Sequence, residues 1–434
     1  MPSRATGLLA RLGLDRPELC AWAMYDWANS AFLTVVITAV FPIYFSSVAA
    51  ADLPPAVATA RFGLATTAAL AIIAVLAPIL GTVADQSAAK LRFLAGFMLL
   101  GAGATGLLYF IQRGDWVPAL VLFVIANIGV NGSFVFYDAL LPHVARRDEM
   151  DRVSTAGYAL GYIGGGLMLA LALAMIQKPA FFGLPSGAGL TPAEATLPVR
   201  LAYLLTALWW VGFAIPLFRT VREPAATRPA GHPLAAAWRQ LRAAGQELGR
   251  HRQAALMLAA FLVYNDGIQT IIRMATVYGT ELGLDRGAMI AAIVIVQFVG
   301  IPFAFLFGWL AGRIGAKPAI LLGLAVYVAI ALLGYGMQTS RDFLILAVLV
   351  GTVQGGTQAL SRSLFARLIP AEKSGEFFGF FAVFEKFAGI FGPALFSVAV
   401  LATGSSRTAI LSVIVFFVVG AALLMKVDVA SDGR

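Results

Sequence analysis

Apolar residues in this chain do not recur against a polar face; they come in blocks. Runs of about 20 residues, each long enough to cross ~30 Å of hydrocarbon as a helix, alternate with short polar segments. They cover 20–50, 62–83, 91–112, 116–140, 155–177 and 200–218, then 254–279, 288–309, 317–338, 342–364, 376–400 and 408–426. One long polar stretch interrupts them, "RTVREPAATRPAGHPLAAAWRQLRAAGQELGRHRQ", after the sixth run. The pattern predicts an all-α membrane protein with twelve transmembrane helices in two six-helix halves. The halves are residues 1–218 and 254–434, joined by a cytoplasmic linker at 219–253.

Composition sharpens this reading. Of the 434 residues, 60% are hydrophobic and 12% charged, whereas soluble domains carry about 25% charged residues. The net charge of +9 is not gathered on a soluble domain, so nucleic acid is not an expected partner. Lys and Arg concentrate in the termini and the even-numbered loops, with a roughly threefold excess over the opposite side. That opposite side holds only Arg61, Arg113, Lys178, Arg200, Arg286, Arg341 and Arg407. Basic residues mark the cytoplasmic face, so both termini are expected there. The single cysteine, Cys20, permits no internal disulfide, and the first 19 residues contain no apolar run of signal-peptide length.

The two halves repeat one another in places. "GTVADQSAAK" joins the second and third runs, and "GWLAGRIGAK" joins the eighth and ninth. "YDWANSA" in the first run is matched by "YNDGIQT" in the seventh. Two halves of equal orientation imply an axis along the membrane normal and a solute site at their seam.

"GTVADQSAAK" resembles the second-to-third-loop signature of the major facilitator superfamily. The resemblance implies the major facilitator fold, with Gly81, Asp85 and Lys90 at a cytoplasmic gate and the acid bracing a helix of the other half. The second copy offers Gly308, Arg313 and Lys317, but Gly312 stands where the acid would be, so a one-sided brace is expected. "YDWANSAF", "FYDALLPHV", "VSTAGYALGYIGGG", "GGTQALSRSLFARLIP" and "EFFGFFAVFEKFAGIFGP" resemble one branch of that superfamily, the "unknown major facilitator" family. That branch includes the vacuolar amino-acid effluxer of yeast autophagy.

Polar side chains within the apolar runs form stripes at helical spacing. The first run carries Asp26, Asn29, Ser30, Thr34 and Thr38; the fourth carries Asn127, Asn131 and Asp138. The seventh carries Asp266, Gln269, Thr270 and Arg273, and the tenth Gln354, Thr357, Gln358 and Ser361. The resemblance implies that these four helices line a central cavity. Asp26, Asn29, Asn131, Asp266, Gln269, Arg273, Gln354 and Gln358 are therefore candidate cavity residues, joined by Lys386 of the eleventh run. A buried charge costs about 2.5–3.5 kcal/mol at the membrane centre on insertion scales, so each needs a reason. Asp26 either meets solute or belongs to a gate flanked by Trp22 and Trp27; Asp266 and Arg273 either meet solute or form a structural ion pair.

No catalytic constellation appears: there is no H-E-x-x-H, no P-loop and no paired Cys/His set. "GAGATG" at 101–106 has no preceding strand, and the "NGS" sequon at 131–133 lies in a span. An enzyme is not expected. The reading favoured is a monomeric secondary transporter in a bacterial cytoplasmic membrane that carries a small polar or zwitterionic solute such as an amino acid. It needs no cofactor, although a proton or other coupling ion fits the buried acids. Efflux of an amphipathic or lipid-like compound is the alternative, and a membrane enzyme or sensor a remote one.

Overall fold

In a computed structural model, residues 12–223, 248–281, 283–388, 391–403 and 406–429 are described, and all of their regular structure is helical. Helices α1 Pro17–Ala49, α2 Pro55–Ser87, α3 Lys90–Leu107, α4 Trp116–Val144, α5 Met150–Gln177 and α6 Pro192–Thr220 form the first half. Helices α7 Arg252–Glu281, α8 Arg286–Ile314, α9 Ala316–Tyr335 and α10 Ser340–Arg367 begin the second. It ends with α11 Ser374–Phe387, α12 Phe391–Thr403, α13 Ser406–Ser412 and α14 Ile414–Met425. Ten helices among the described residues are long and apolar enough to cross a membrane. Large apolar side chains such as Leu64, Val75, Leu208 and Val398 stand exposed on the bundle, as surfaces facing lipid require.

The eleventh and twelfth expected spans are not single long helices. The run 376–400 is two segments, with Ala388 in extended conformation (ψ 136°) after α11. Pro393 then falls in the first turn of α12, where a missing N–H leaves no intrahelical bond unmade. The run 408–426 is likewise divided between α13 and α14. Most other helices outrun their apolar blocks, because polar residues at the membrane surface continue a helix readily. Thus α2 begins at Pro55 and ends at Ser87 rather than covering 62–83. In α1 the β-branched run Thr34–Thr38 widens into π turns, so Val40 donates to Val35 O at 2.7 Å.

Packing has the pseudo-symmetry anticipated from the repeats. Each half sends its second helix against the fifth-place helix of the other: α2 meets α11, and α8 meets α5. Glycine makes both approaches close. A methyl group on Gly81 of α2 would run into the carbonyl oxygen of Gly375 at the start of α11. One on Gly308 of α8 would strike Thr155 Oγ1 of α5. The α4 and α10 helices add a third line of contact across the seam.

Candidate functional site

A buried charged cluster lies where α1, α4, α5 and α10 meet. Arg362 of α10, 3% exposed, reaches into the first half. Its Nη1 donates to Asp138 Oδ1 at 3.0 Å and to Asp26 Oδ2 at 3.4 Å. Its Nε donates to Ser154 Oγ at 2.9 Å, and its Nη2 to Ser154 O at 2.9 Å and Asp26 Oδ2 at 3.4 Å. The Tyr137 hydroxyl donates to Asp26 Oδ2 at 2.8 Å. The rings of Trp22, Tyr158 and Tyr137 surround the guanidinium, with centroids 4.8, 4.7 and 5.4 Å from its carbon.

Local sequence explains why the cluster can assemble. Gly157 faces Asp26 across the α1–α5 contact, and a β-carbon there would come within 2.6 Å of Asp26 Oδ2 and 3.2 Å of Arg362 Nη2. Trp22, one turn before Asp26, stacks on Tyr137 at 4.4 Å and donates from Nε1 to its carbonyl at 3.0 Å. That contact fixes the ring whose hydroxyl meets Asp26. Planar, delocalised and permanently charged, guanidinium suits burial among aromatics and carboxylates better than an ammonium would.

A second charged contact joins the halves. Asp85 at the end of α2 accepts from the Gly375 and Glu376 backbone N–H groups at 3.0 and 2.7 Å. These are orphan donors of the first turn of α11, so Asp85 caps a helix of the opposite half. Lys90 Nζ pairs with Asp85 at 2.6 Å, and Glu223 in turn accepts from the Lys90 backbone N–H at 2.9 Å. Nearby, His143 and Ser374 are hydrogen-bonded at 3.1 Å. On the other seam, Asp151 of α5 accepts from Ser363 Oγ at 2.7 Å and pairs with Arg367 of α10. All these contacts lie at one end of the bundle, where α2, α4 and α10 finish and α5 and α11 begin.

The other sequence candidates are dispersed. Asn29 is fully buried, and neither amide atom has a hydrogen-bond partner among the described residues. Asn131 donates to Asn127 O and Oδ1, both at 2.8 Å. Asp266 is buried and accepts from the Gly392 N–H at 3.0 Å, in the first turn of α12. Gln269, Gln354 and Gln358 are half-buried. The side chains of Arg273 and Lys386 lie outside the described residues. Arg313 is exposed and stacks on Trp309 of its own helix, while Lys317 Nζ donates to Met425 O and Val427 O at 2.7 and 2.8 Å.

Arg362, Tyr137 and Ser154 were not singled out from sequence. Arg362 falls near the end of its apolar run and counts as a loop residue in an orientation tally. Its spacing was informative nonetheless: it lies four residues after Gln358, on the same helical stripe.

The family profile described as "Vacuole effluxer Atg22 like" matches residues 54–434. The chain belongs to that family. An uncharacterized MFS-type transporter of Bacillus subtilis, YxiO, is 38% identical over 405 residues, 93% of each chain. Autophagy-related protein 22 of Coccidioides immitis is 24% identical over 533 residues, covering 95% of this chain and 87% of the relative. Against a relative from Aspergillus niger the match spans 48% of the longer fungal protein. Among solved structures, the outward conformation of the major facilitator transporter FucP superposes with TM-score 0.73 over 96% of this chain and 99% of FucP, at 15% identity. A bacterial homologue of ferroportin, outward-facing, gives 0.67 at 13% identity, over 95% and 99% of the two chains. The protein is therefore an integral, multi-pass transporter of the major facilitator type and not an enzyme.

Proposed function

We propose that this family member moves a small polar or zwitterionic solute, amino acids first, by alternating access. One observation carries the reading: a guanidinium of the second half is buried among carboxylates of the first. Such a contact needs nearly ideal geometry to offset desolvation, and it breaks as a unit when the halves part. In this reading residues 1–218 and 254–434 are the two moving bodies, 219–253 is the linker, and α11–α12 and α13–α14 complete twelve crossings. The latched end faces the cytoplasm of a bacterial cell, because the excess of Lys and Arg lies on that side. Asn29, Asn131, Asp266, Gln269, Arg273, Gln354, Gln358 and Lys386 line the solute path, while Gly81, Asp85, Lys90, Gly308, Arg313 and Lys317 belong to the gate. Asp26 serves the gate in the latched state and the path once the latch opens. The protein acts as a monomer.

The test is flux of a labelled amino-acid panel in proteoliposomes. Saturable movement of one member, lost in Asp266→Asn, supports the reading. Movement of none, with an amphipathic compound carried instead, replaces the solute class.

A further inference from the structure

We infer that a basic cavity at the latched end of the seam binds a phosphate group, and that the bound phosphate holds the two halves together. The hold on the halves rests on the transporter reading; the binding site itself does not.

The cavity is distinct from the Arg362 cluster and lies one helical turn beyond it. Pro142 follows Asp138 by four residues on α4, and Ala366 follows Arg362 by four on α10, about 6 Å along each helix. Both residues line a cavity of about 430 Å³, within the usual size of a small-molecule site. The first half supplies its charged wall, Arg16, Arg146 and Arg147, and the second half an apolar wall, Ala366, Ile369 and Ala371. A ligand seated there touches both halves.

Charge on the cavity wall has one sign, since none of its lining residues is Asp or Glu. Glu149 is buried and already holds Arg16 and Arg146, taking the Arg146 N–H and Nη2 at 2.9 Å each. Asp148 is exposed and meets Arg146 at 3.8 Å. Arg147 is exposed and makes no hydrogen bond or ion pair among the described residues, so its guanidinium is unspent. No side chain caps the first turn of α5, whose Met150 also lines the cavity. The N-terminal end of a helix, with its first N–H groups unpaired within the helix, adds to the attraction for an anion.

A zwitterionic solute is poorly matched here, because its ammonium would meet arginines and no carboxylate. A compact centre of two negative charges is well matched, since guanidinium forks pair with phosphate oxygens two bonds at a time. While the halves are latched, the apolar wall keeps water from one side of the ligand and strengthens each charged contact. When they part, that wall withdraws, the arginines face water and the phosphate is held more loosely. The ligand therefore favours the latched state by the ratio of its two affinities.

A phosphate can arrive on a soluble molecule or on a lipid headgroup, and the experiment separates the two. The full chain is placed in phosphatidylcholine nanodiscs, and its melting temperature is followed as inorganic pyrophosphate replaces chloride at constant ionic strength. A saturable rise is expected, with none from succinate, a dicarboxylate, at the same concentration. Arg147→Gln removes the unspent guanidinium without breaking a contact and should weaken binding about tenfold. Ala371→Asp sets a carboxylate on the opposite wall and should abolish the rise, whereas Arg113→Gln, in the exposed pair with Asp52, leaves it unchanged. A rise seen only on adding phosphatidylglycerol, and lost in the Arg147 and Ala371 variants, assigns the phosphate to a lipid headgroup. No rise with either source, an equal rise with succinate, or a rise that survives in both variants overturns the site. Hydrogen exchange at the latched ends of α5 and α10 should slow as the site fills; binding without that slowing overturns the hold on the halves. Neither result touches the solute reading, which the flux panel tests separately.

Discussion

At the α2–α11 seam, Asp85 gives its two carboxylate oxygens to two peptide N–H groups of the opposite half and holds Lys90 beside them. At the related α8–α5 seam Gly312 stands in the acid's place, and the approach is made by Gly308 against the Thr155 side chain. Charge crosses near that seam by another route, from Asp151 of α5 to Ser363 and Arg367 of α10. One topological plan is thus closed by a helix cap in one copy and by side-chain fit in the other. Pseudo-symmetry fixes which helices meet, and individual residues decide what must break for them to part.

The central cluster joins the two seams, so its loss has the largest expected effect. Arg362→Ala leaves two carboxylates buried without a cation, which costs the latched state about 3–5 kcal/mol. It should appear as a lowered melting temperature in detergent and as faster exchange at the ends of both α5 and α10. Arg362→Lys keeps the charge but not the fork that serves Asp26, Asp138 and Ser154 together, and should recover only part of the loss.

Next comes a test of the capped seam. Asp85→Ala removes two charge-assisted hydrogen bonds and leaves the buried Lys90 only its longer pairing with Glu223 at 3.8 Å, an effect of about 2–4 kcal/mol on the latched state. Exchange should rise first in the opening turn of α11, with α5 following only as the halves separate. Equal rises at both seams from the outset would show that the seams are not distinct.

The two glycines separate the mechanisms more finely. Gly81→Ala and Gly308→Ala each overfill a tight contact and should lower stability by about 1–3 kcal/mol. Thr155→Ala removes the hydroxyl that a methyl group at Gly308 would strike, so it should rescue Gly308→Ala in a thermal melt. No single side-chain change should rescue Gly81→Ala, because the obstacle is the Gly375 carbonyl. Rescue of both, or of neither, would erase the contrast.

Smallest of all is the effect expected at the basic pair of the second copy. Lys317→Met loses two bonds to the carbonyls that end α14 and should destabilise that terminus by about 0.5–1.5 kcal/mol, read as local fraying. Arg313→Ala should change melting negligibly, since Arg313 stacks on Trp309 of its own helix at the surface.

Much of this architecture could be read in the sequence, because membrane spans announce themselves as apolar blocks. The resemblance to the superfamily's loop signature put Gly81, Asp85 and Lys90 at a gate between the halves, and the absent acid at Gly312 signalled an asymmetric pair. The break between α11 and α12 escaped, since hydropathy is blind to backbone direction; Gly389, Gly392 and Pro393 were its only trace. Arg362 escaped for a related reason. A basic residue near the end of an apolar run looks like an orientation signal, and only the three-dimensional meeting of α1, α4 and α10 turns it inward. Asp26 was legible as a buried acid needing compensation, but its partner lies 336 positions away and no local spacing reveals it.

The most direct measurement is the distance between spin labels at the latched ends of α4 and α10, recorded in nanodiscs for the wild type and for Arg362→Ala. If Arg362 holds the halves together, the wild type gives a short, narrow distribution and the variant shifts towards longer separations. An identical short distribution in the variant would mean that the seams close without the arginine, and the latch would have to be sought elsewhere.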